Sequence, residues 1–144
     1  METTLPPHPK KSPGRIVTAI VRYLLGLPLL VFGLNMFFNF IPQPKDPIAP
    51  AAMEFAGALY KSGYMMPMIG VTFLLVGVML VTNRFVPLAL ALFAPFMVNS
   101  VLFHLYLERS GLPMSLVFLA LELYLAWSYR SAYRSMLAAR VTPG

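Results

Sequence analysis

The chain contains no cysteine, which excludes disulfides, thiolate metal sites and CxxC redox chemistry. Any redox role has to run through a bound cofactor or a partner. Charge is scarce as well: Asp, Glu, Lys and Arg make up 11% of 144 residues, where a soluble domain carries about a quarter. Acid is scarcer still, with five Asp and Glu against eleven Lys and Arg. There is no glycine-rich phosphate loop, haem attachment motif or hydrolase nucleophile elbow. The commonest routes to nucleotide, haem and acyl-transfer chemistry are thereby closed.

What fills the chain instead is apolar: 58% of its residues are hydrophobic. Four runs, residues 16–41, 65–81, 85–107 and 112–129, reach spanning length against a need of about 20 apolar residues and a lower limit of roughly 17. Their connections are short. The pattern predicts an all-α integral membrane protein, with residues 15–144 forming one antiparallel bundle of four transmembrane helices. Residues 1–14 carry Pro6, Pro7, Pro9 and Pro13 and read as a flexible cytoplasmic arm with little to bury. Lys10, Lys11 and Arg15 ahead of an apolar run resemble a signal peptide, but the run is too long and no small-residue cleavage site closes it. The first helix is expected to be a retained anchor.

The net charge of +6 has an explanation other than nucleic acid, which is not expected as a partner. With four crossings, Lys10, Lys11, Arg15, Arg22, Arg84, Arg130, Arg134 and Arg140 share one side, and only Lys45, Lys61 and Arg109 the other. The positive-inside rule then places both termini and the short turn at Asn83 and Arg84 in the cytoplasm. Tyr60, Tyr64 and Tyr106 at one boundary, and Tyr23, Trp127, Tyr129 and Tyr133 at the other, fit the interfacial preference of amphipathic rings.

Residues 41–50 contain four prolines and exclude regular helix. Residues 51–61 follow as a short helix, with Phe55 and Leu59 on its apolar side and Glu54 and Lys61 on its wet side. Lying flat at the outer membrane surface is the expected placement, over a re-entrant excursion or an extension of the second span. Gly63 is the expected break. Gly26 and Gly33 fall in one stripe of the first span and would let a neighbouring helix approach closely; Gly70 and Gly77 of the second are also seven apart.

Glu122 is the most informative polar residue, because it sits in a run that has no other charge. A carboxylate near mid-membrane costs about 2.5–3.5 kcal/mol on insertion scales, so it must be paired, protonated or turned to a polar cavity. It lies about 12 Å inward of Arg130 by helical rise, and Arg22 lies at a similar depth. An Arg22–Glu122 ion pair is therefore expected, serving either as an internal register device or as a proton or ligand site.

Asn35, Asn39, Asn99, His104 and Glu108 lie toward the opposite half and are outer-side polar or ligand candidates. Asn99 and His104 are about 140° apart in helical phase and cannot share one pocket; the three asparagines are expected to bond between helices. His104 and Glu108, one turn apart, can hold each other, share a metal, or meet a quinone or lipid head group. Two ligands do not make a metal site and the only other histidine is His8, so no metal is expected. The ten methionines are scattered without a repeated motif and read as gap fillers rather than copper ligands.

The run Arg22-Tyr-Leu-Leu-Gly26-Leu-Pro-Leu-Leu-Val-Phe32-Gly33-Leu-Asn35, with Pro67, Gly77 and Asn83-Arg84-Phe-Val-Pro87-Leu-Ala, resembles the DoxX-like family of small bacterial membrane proteins over about residues 15–135. The resemblance implies four transmembrane helices and a role beside redox systems; a relative, the DoxD type, is a subunit of a thiosulfate:quinone oxidoreductase. Arg22 matches the arginine of the first helix and Gly33 the glycine after it. The chain departs where many members have a lysine near Asn35 and an acid in the second helix, at Phe73. The expected function is a multi-pass accessory or anchoring subunit of a redox-linked membrane assembly, acting by helix packing with no cofactor of its own. The alternatives are a quinone-reactive subunit using His104 with Glu108 or Glu122, and a carrier for lipid, ion or small solute. The resemblance implies a bacterial inner membrane, and the expected partners are the bilayer and other membrane subunits, as homo- or hetero-oligomer.

Overall fold

A computed structural model describes residues 12–144. The expectation of a flexible arm over 1–14 falls almost wholly outside the described residues. At its edge, Pro13 and Gly14 belong to helix.

The described residues form five α-helices and two short 3-10 turns, with no strand. They are α1 (Pro13–Phe38), α2 (Pro50–Lys61), α3 (Met65–Val81), α4 (Val86–Tyr106) and α5 (Leu112–Ser128). The chain enters α1, α2, α4 and α5 with proline in the first turn, where the missing N–H would have had no intrahelical partner. Three helices, counting α5 with the 3-10 turn before it, are long and apolar enough to cross a membrane. The pair α2 and α3 supplies a fourth crossing if counted as one span, but it is bent by 89°. Gly63 makes that bend, at φ +77, a conformation glycine enters without steric cost.

α1 packs on α3, α3 on α4, α4 on α5, and α5 back on α1. Glycines set the tightest of these seams. A β-carbon on Gly26 would sit 3.0 Å from Leu80 Cβ, one on Gly33 2.9 Å from Leu74, and one on Gly70 2.9 Å from Met36 Cβ. As the number rises along α1 its partner's number falls along α3, so the two run antiparallel. Pro13, the α3–α4 turn and Ser128 therefore gather at one end, the terminal end, and α2 lies at the other.

Leu25, Leu29, Val76, Leu80, Phe93 and Leu125 form the buried centre. The outward faces are just as apolar: Leu24, Val71, Val98 and Leu123 are each more than half exposed. A surface of this kind is costly in water and costs nothing among acyl chains.

The first helix stops three residues before the expected 41. Asn39 takes the left-handed conformation (φ 48, ψ 47) and its N–H returns to the Asn35 carbonyl. Asn35 Oδ1 accepts the Ile41 N–H at 2.7 Å. These two asparagines terminate α1 rather than joining helices, which corrects the interhelical expectation for both. An asparagine side chain satisfies orphaned backbone groups at a helix end, and its short polar chain tolerates the left-handed region.

Candidate functional site: an aromatic pocket and a basic cleft

At the α2 end, α4 and α5 are joined by a tight turn that organises His104 and Glu108. The His104 ring lies over Gly111, where any β-carbon would collide with ring atoms Cε1 and Nδ1. His104 Nδ1 is 3.0 Å from the Glu108 carbonyl oxygen. A carbonyl only accepts, so Nδ1 carries a proton, and in the neutral ring Nε2 presents a lone pair. The imidazole is thus held by the backbone of Glu108 and not by its carboxylate.

That carboxylate is engaged elsewhere. One oxygen accepts the Ala49 N–H at 2.8 Å, tying the start of α2 to a turn 59 residues further along. The other accepts the Ser110 hydroxyl at 2.7 Å and the Ser110 N–H at 3.3 Å. The Ala49 bond is the largest of the influences that hold the Glu108 carboxyl below the ordinary carboxylate range, followed by the two from Ser110. Phe55 of α2 adds an aromatic contact with Phe103, the ring centroids 5.6 Å apart.

His104 closes one end of a pocket of about 340 Å³, lined by Phe32, Phe73, Phe93, Phe96 and Phe118 with Leu29, Met97 and Met114. Phe73 meets Phe96 edge-on at 4.6 Å between centroids, and the Ser100 and Ser115 hydroxyls lie 3.2 Å apart beside it. An aromatic box with a few polar groups at one end is the usual construction of a small-molecule site. Ser100, Ser115 and Gly111 were missed in the sequence. Ser100 shares the face of His104, but Ser115 and Gly111 come from the other side of the turn.

Asn99 does not join this group. It is exposed on α4, in the outward stripe that carries Leu92, Leu102 and Tyr106. Its amide makes no hydrogen bond among the described residues, so within this chain it does not link helices as expected.

At the terminal end, α1 and α5 enclose an open cleft of about 1020 Å³ whose lining includes Arg15, Thr18, Arg22, Tyr124, Trp127 and Arg130. Thr18 and Tyr124 bridge it, their oxygens 3.4 Å apart. Arg22 is only 8% exposed, and its Nε has no hydrogen-bond partner among the described residues. No ion pair within 4.0 Å joins it to any carboxylate among the described residues.

The expected Arg22–Glu122 pair is therefore absent. Glu122 is 5% exposed and belongs to a different groove, lined by Leu90, Ala94 and Met97 of α4, Leu119 and Leu123 of α5, and Tyr133. The two residues differ in azimuth, so each opens to a different neighbour. Tyr124 of α5 faces α1 at Thr18, and two residues along a helix is a turn of about 200°. Glu122 consequently looks toward α4. Tyr133, beyond α5, donates its hydroxyl to the Pro87 carbonyl at 2.8 Å, and its pKa is raised by burial first and by the Glu122 carboxylate second. Among the described residues no group of three His, Asp or Glu is placed to hold a metal.

No family model, curated protein or solved structure matches the chain.

Proposed function

We propose that the chain is a multi-pass membrane protein that works as a non-catalytic accessory or anchoring subunit, offering its helix faces to a partner. In this reading the four crossings form a bundle in a bacterial inner membrane, both termini are cytoplasmic, and α2 lies flat in the outer interface. The observation that carries it is Asn99, whose amide has no hydrogen-bond partner among the described residues and which lies among exposed apolar neighbours on α4. Facing acyl chains it would leave its hydrogen-bonding capacity unmet, whereas a polar side chain between transmembrane helices contributes about 1 kcal/mol. The likeness of residues 15–135 to DoxX-like proteins supports a redox-linked partner.

Native mass spectrometry of gently solubilised membranes tests this. Asn99→Leu should release the associated subunit, or convert the homo-oligomer to monomer, while the helical content stays unchanged. An unaltered set of associated chains in Asn99→Leu would sink the proposal.

A second reading, a quinone-reactive subunit, is favoured by the aromatic pocket. The lone pair on His104 Nε2 suits a donor, such as the hydroxyl of a quinol ring. Oxidation of that quinol would release two electrons to a partner and two protons, one to Nε2 and one to water. A quinol titration should show binding that His104→Ala weakens about tenfold, the usual scale for one lost hydrogen bond in a dry site. Equal binding by the variant removes this reading.

A further inference from the structure

We infer that the cleft between α1 and α5 is a binding site for a phosphate-bearing anion, with Arg22 as its innermost ligand and Arg15 and Arg130 at its rim. Three arginines line the cleft, and no acid does so among the described residues. Arg22 is more than nine-tenths buried, its Nε is without a partner, and its guanidinium makes no hydrogen bond among the described residues. The Tyr23 ring face, 5.5 Å from the guanidinium carbon, offsets part of the cost of burying this cation, and an anion in the cleft would offset the rest by bonding the guanidinium that the described residues leave free. Guanidinium groups match the geometry of phosphate oxygens.

The backbone points the same way. The cleft includes Ser12 and Gly14 at the start of α1, and the Ser12 side chain makes no capping bond. Pro13 has no N–H, and the Arg15 and Ile16 N–H groups return to the Ser12 carbonyl, so the first turn adds the Gly14 N–H and the positive end of the helix dipole at this edge of the cleft. Arg130 is steadied at the rim, its Nη1 donating to the Trp127 carbonyl at 2.9 Å and its guanidinium stacked 4.6 Å over the indole. Thr18 and Tyr124 supply hydroxyls on the walls. In the membrane placement proposed above, the cleft opens at the terminal ends of α1 and α5, near the depth of phospholipid phosphates. The two sources of this chemistry are the head group of an acidic phospholipid and free inorganic phosphate.

Trp127 is the single tryptophan of the chain and lines the cleft, so its fluorescence reports occupancy. The full-length protein is reconstituted in bilayers containing brominated phosphatidylglycerol or brominated phosphatidylcholine. The inference expects quenching by the acidic lipid to be stronger, with a relative affinity of about tenfold from charge-assisted bonds to a buried arginine. Arg22→Gln should bring that ratio near unity. Arg134→Gln, which removes the same charge at an exposed position outside the cleft, should leave it unchanged. Relief of the preference by millimolar inorganic phosphate, in an Arg22-dependent manner, assigns the site to the free anion. No effect of phosphate assigns it to the lipid head group; both results uphold the site. No preference in the unaltered protein, an undiminished preference in Arg22→Gln, or an equal loss in Arg134→Gln overturns it. If Arg22→Gln does not fold, exposed Arg15→Gln decides: a loss of about threefold upholds the site and an unchanged ratio overturns it.

Discussion

Replacing Gly77 by alanine should destabilise the fold, while the same replacement at Gly57 should stabilise it. Alanine is the better helix former by about 1 kcal/mol, so both changes begin with the same local gain. At Gly57 in α2 nothing lies within 4 Å of the new β-carbon, and the gain of about 0.5–1 kcal/mol is kept. At Gly77 the β-carbon would stand 2.8 Å from Leu30 Cγ and Cδ2 and 3.1 Å from the Gly26 carbonyl oxygen. Leu30 can rotate away, but the carbonyl can retreat only if α1 as a whole moves off α3. Overpacking of this kind costs about 1–3 kcal/mol, which leaves a net loss of up to about 2 kcal/mol. Reversible unfolding in mixed micelles, followed by far-ultraviolet circular dichroism, measures both variants. Adding Leu30→Ala to Gly77→Ala should recover part of the loss and not all of it, because the backbone contact persists. If Gly77→Ala is as stable as the unaltered chain, or Gly57→Ala loses stability by the same amount, the close approach of α1 and α3 is not what holds them.

The remaining expectations concern the polar groups. Glu108→Ala should speed hydrogen exchange at Ala49 and through α2, with α1 and α3 unchanged, because Ala49 loses the acceptor that anchors it; unchanged exchange in α2 would refute the tether. Since the folded Glu108 carboxyl is held below its ordinary value, its contribution is complete above the unfolded pKa of about 4.3 and disappears as pH falls through the lower folded value. Acidification below about pH 4 should therefore mimic Glu108→Ala, and Glu108→Gln should abolish that response. Gly111→Ala must displace the His104 ring, so the Nδ1 proton signal, followed by NMR with labelled histidine, should shift to that of a solvated imidazole; an unshifted signal counts against the geometry. Glu122→Leu removes a buried acid with no hydrogen bond among the described residues and should raise the isolated chain's stability by about 1 kcal/mol or more. A loss of stability would mean that Glu122 has a partner within the chain.

Much of the architecture was legible in the sequence, because the signals involved are local. Hydropathy over windows of about 20 residues placed α3 at its observed bounds and the other spans within a few residues of theirs. Gly63 declared the break before α3, and the pairs Gly26–Gly33 and Gly70–Gly77 marked the faces along which α1 and α3 now meet. The error at the end of α1 came from reading Phe40 and Ile41 as continuing an apolar run. Asn39, which ends the helix, is an ordinary polar residue until its backbone conformation is known.

Tertiary structure decided which polar groups meet. Sequence sets how deep Arg22 and Glu122 lie, since rise per residue is fixed, but the direction each faces depends on how α5 is rotated against α1 and α4. Packing turned Tyr124 toward α1 and Glu122 toward α4, leaving Arg22 in a cleft of its own. Spacing likewise permits Glu108 to hold His104, whereas the folded chain brings Ala49 to its carboxylate, a partner no periodicity could reveal. Composition and period act along the chain; the pairing of charges and hydrogen bonds is settled only when the helices choose their neighbours.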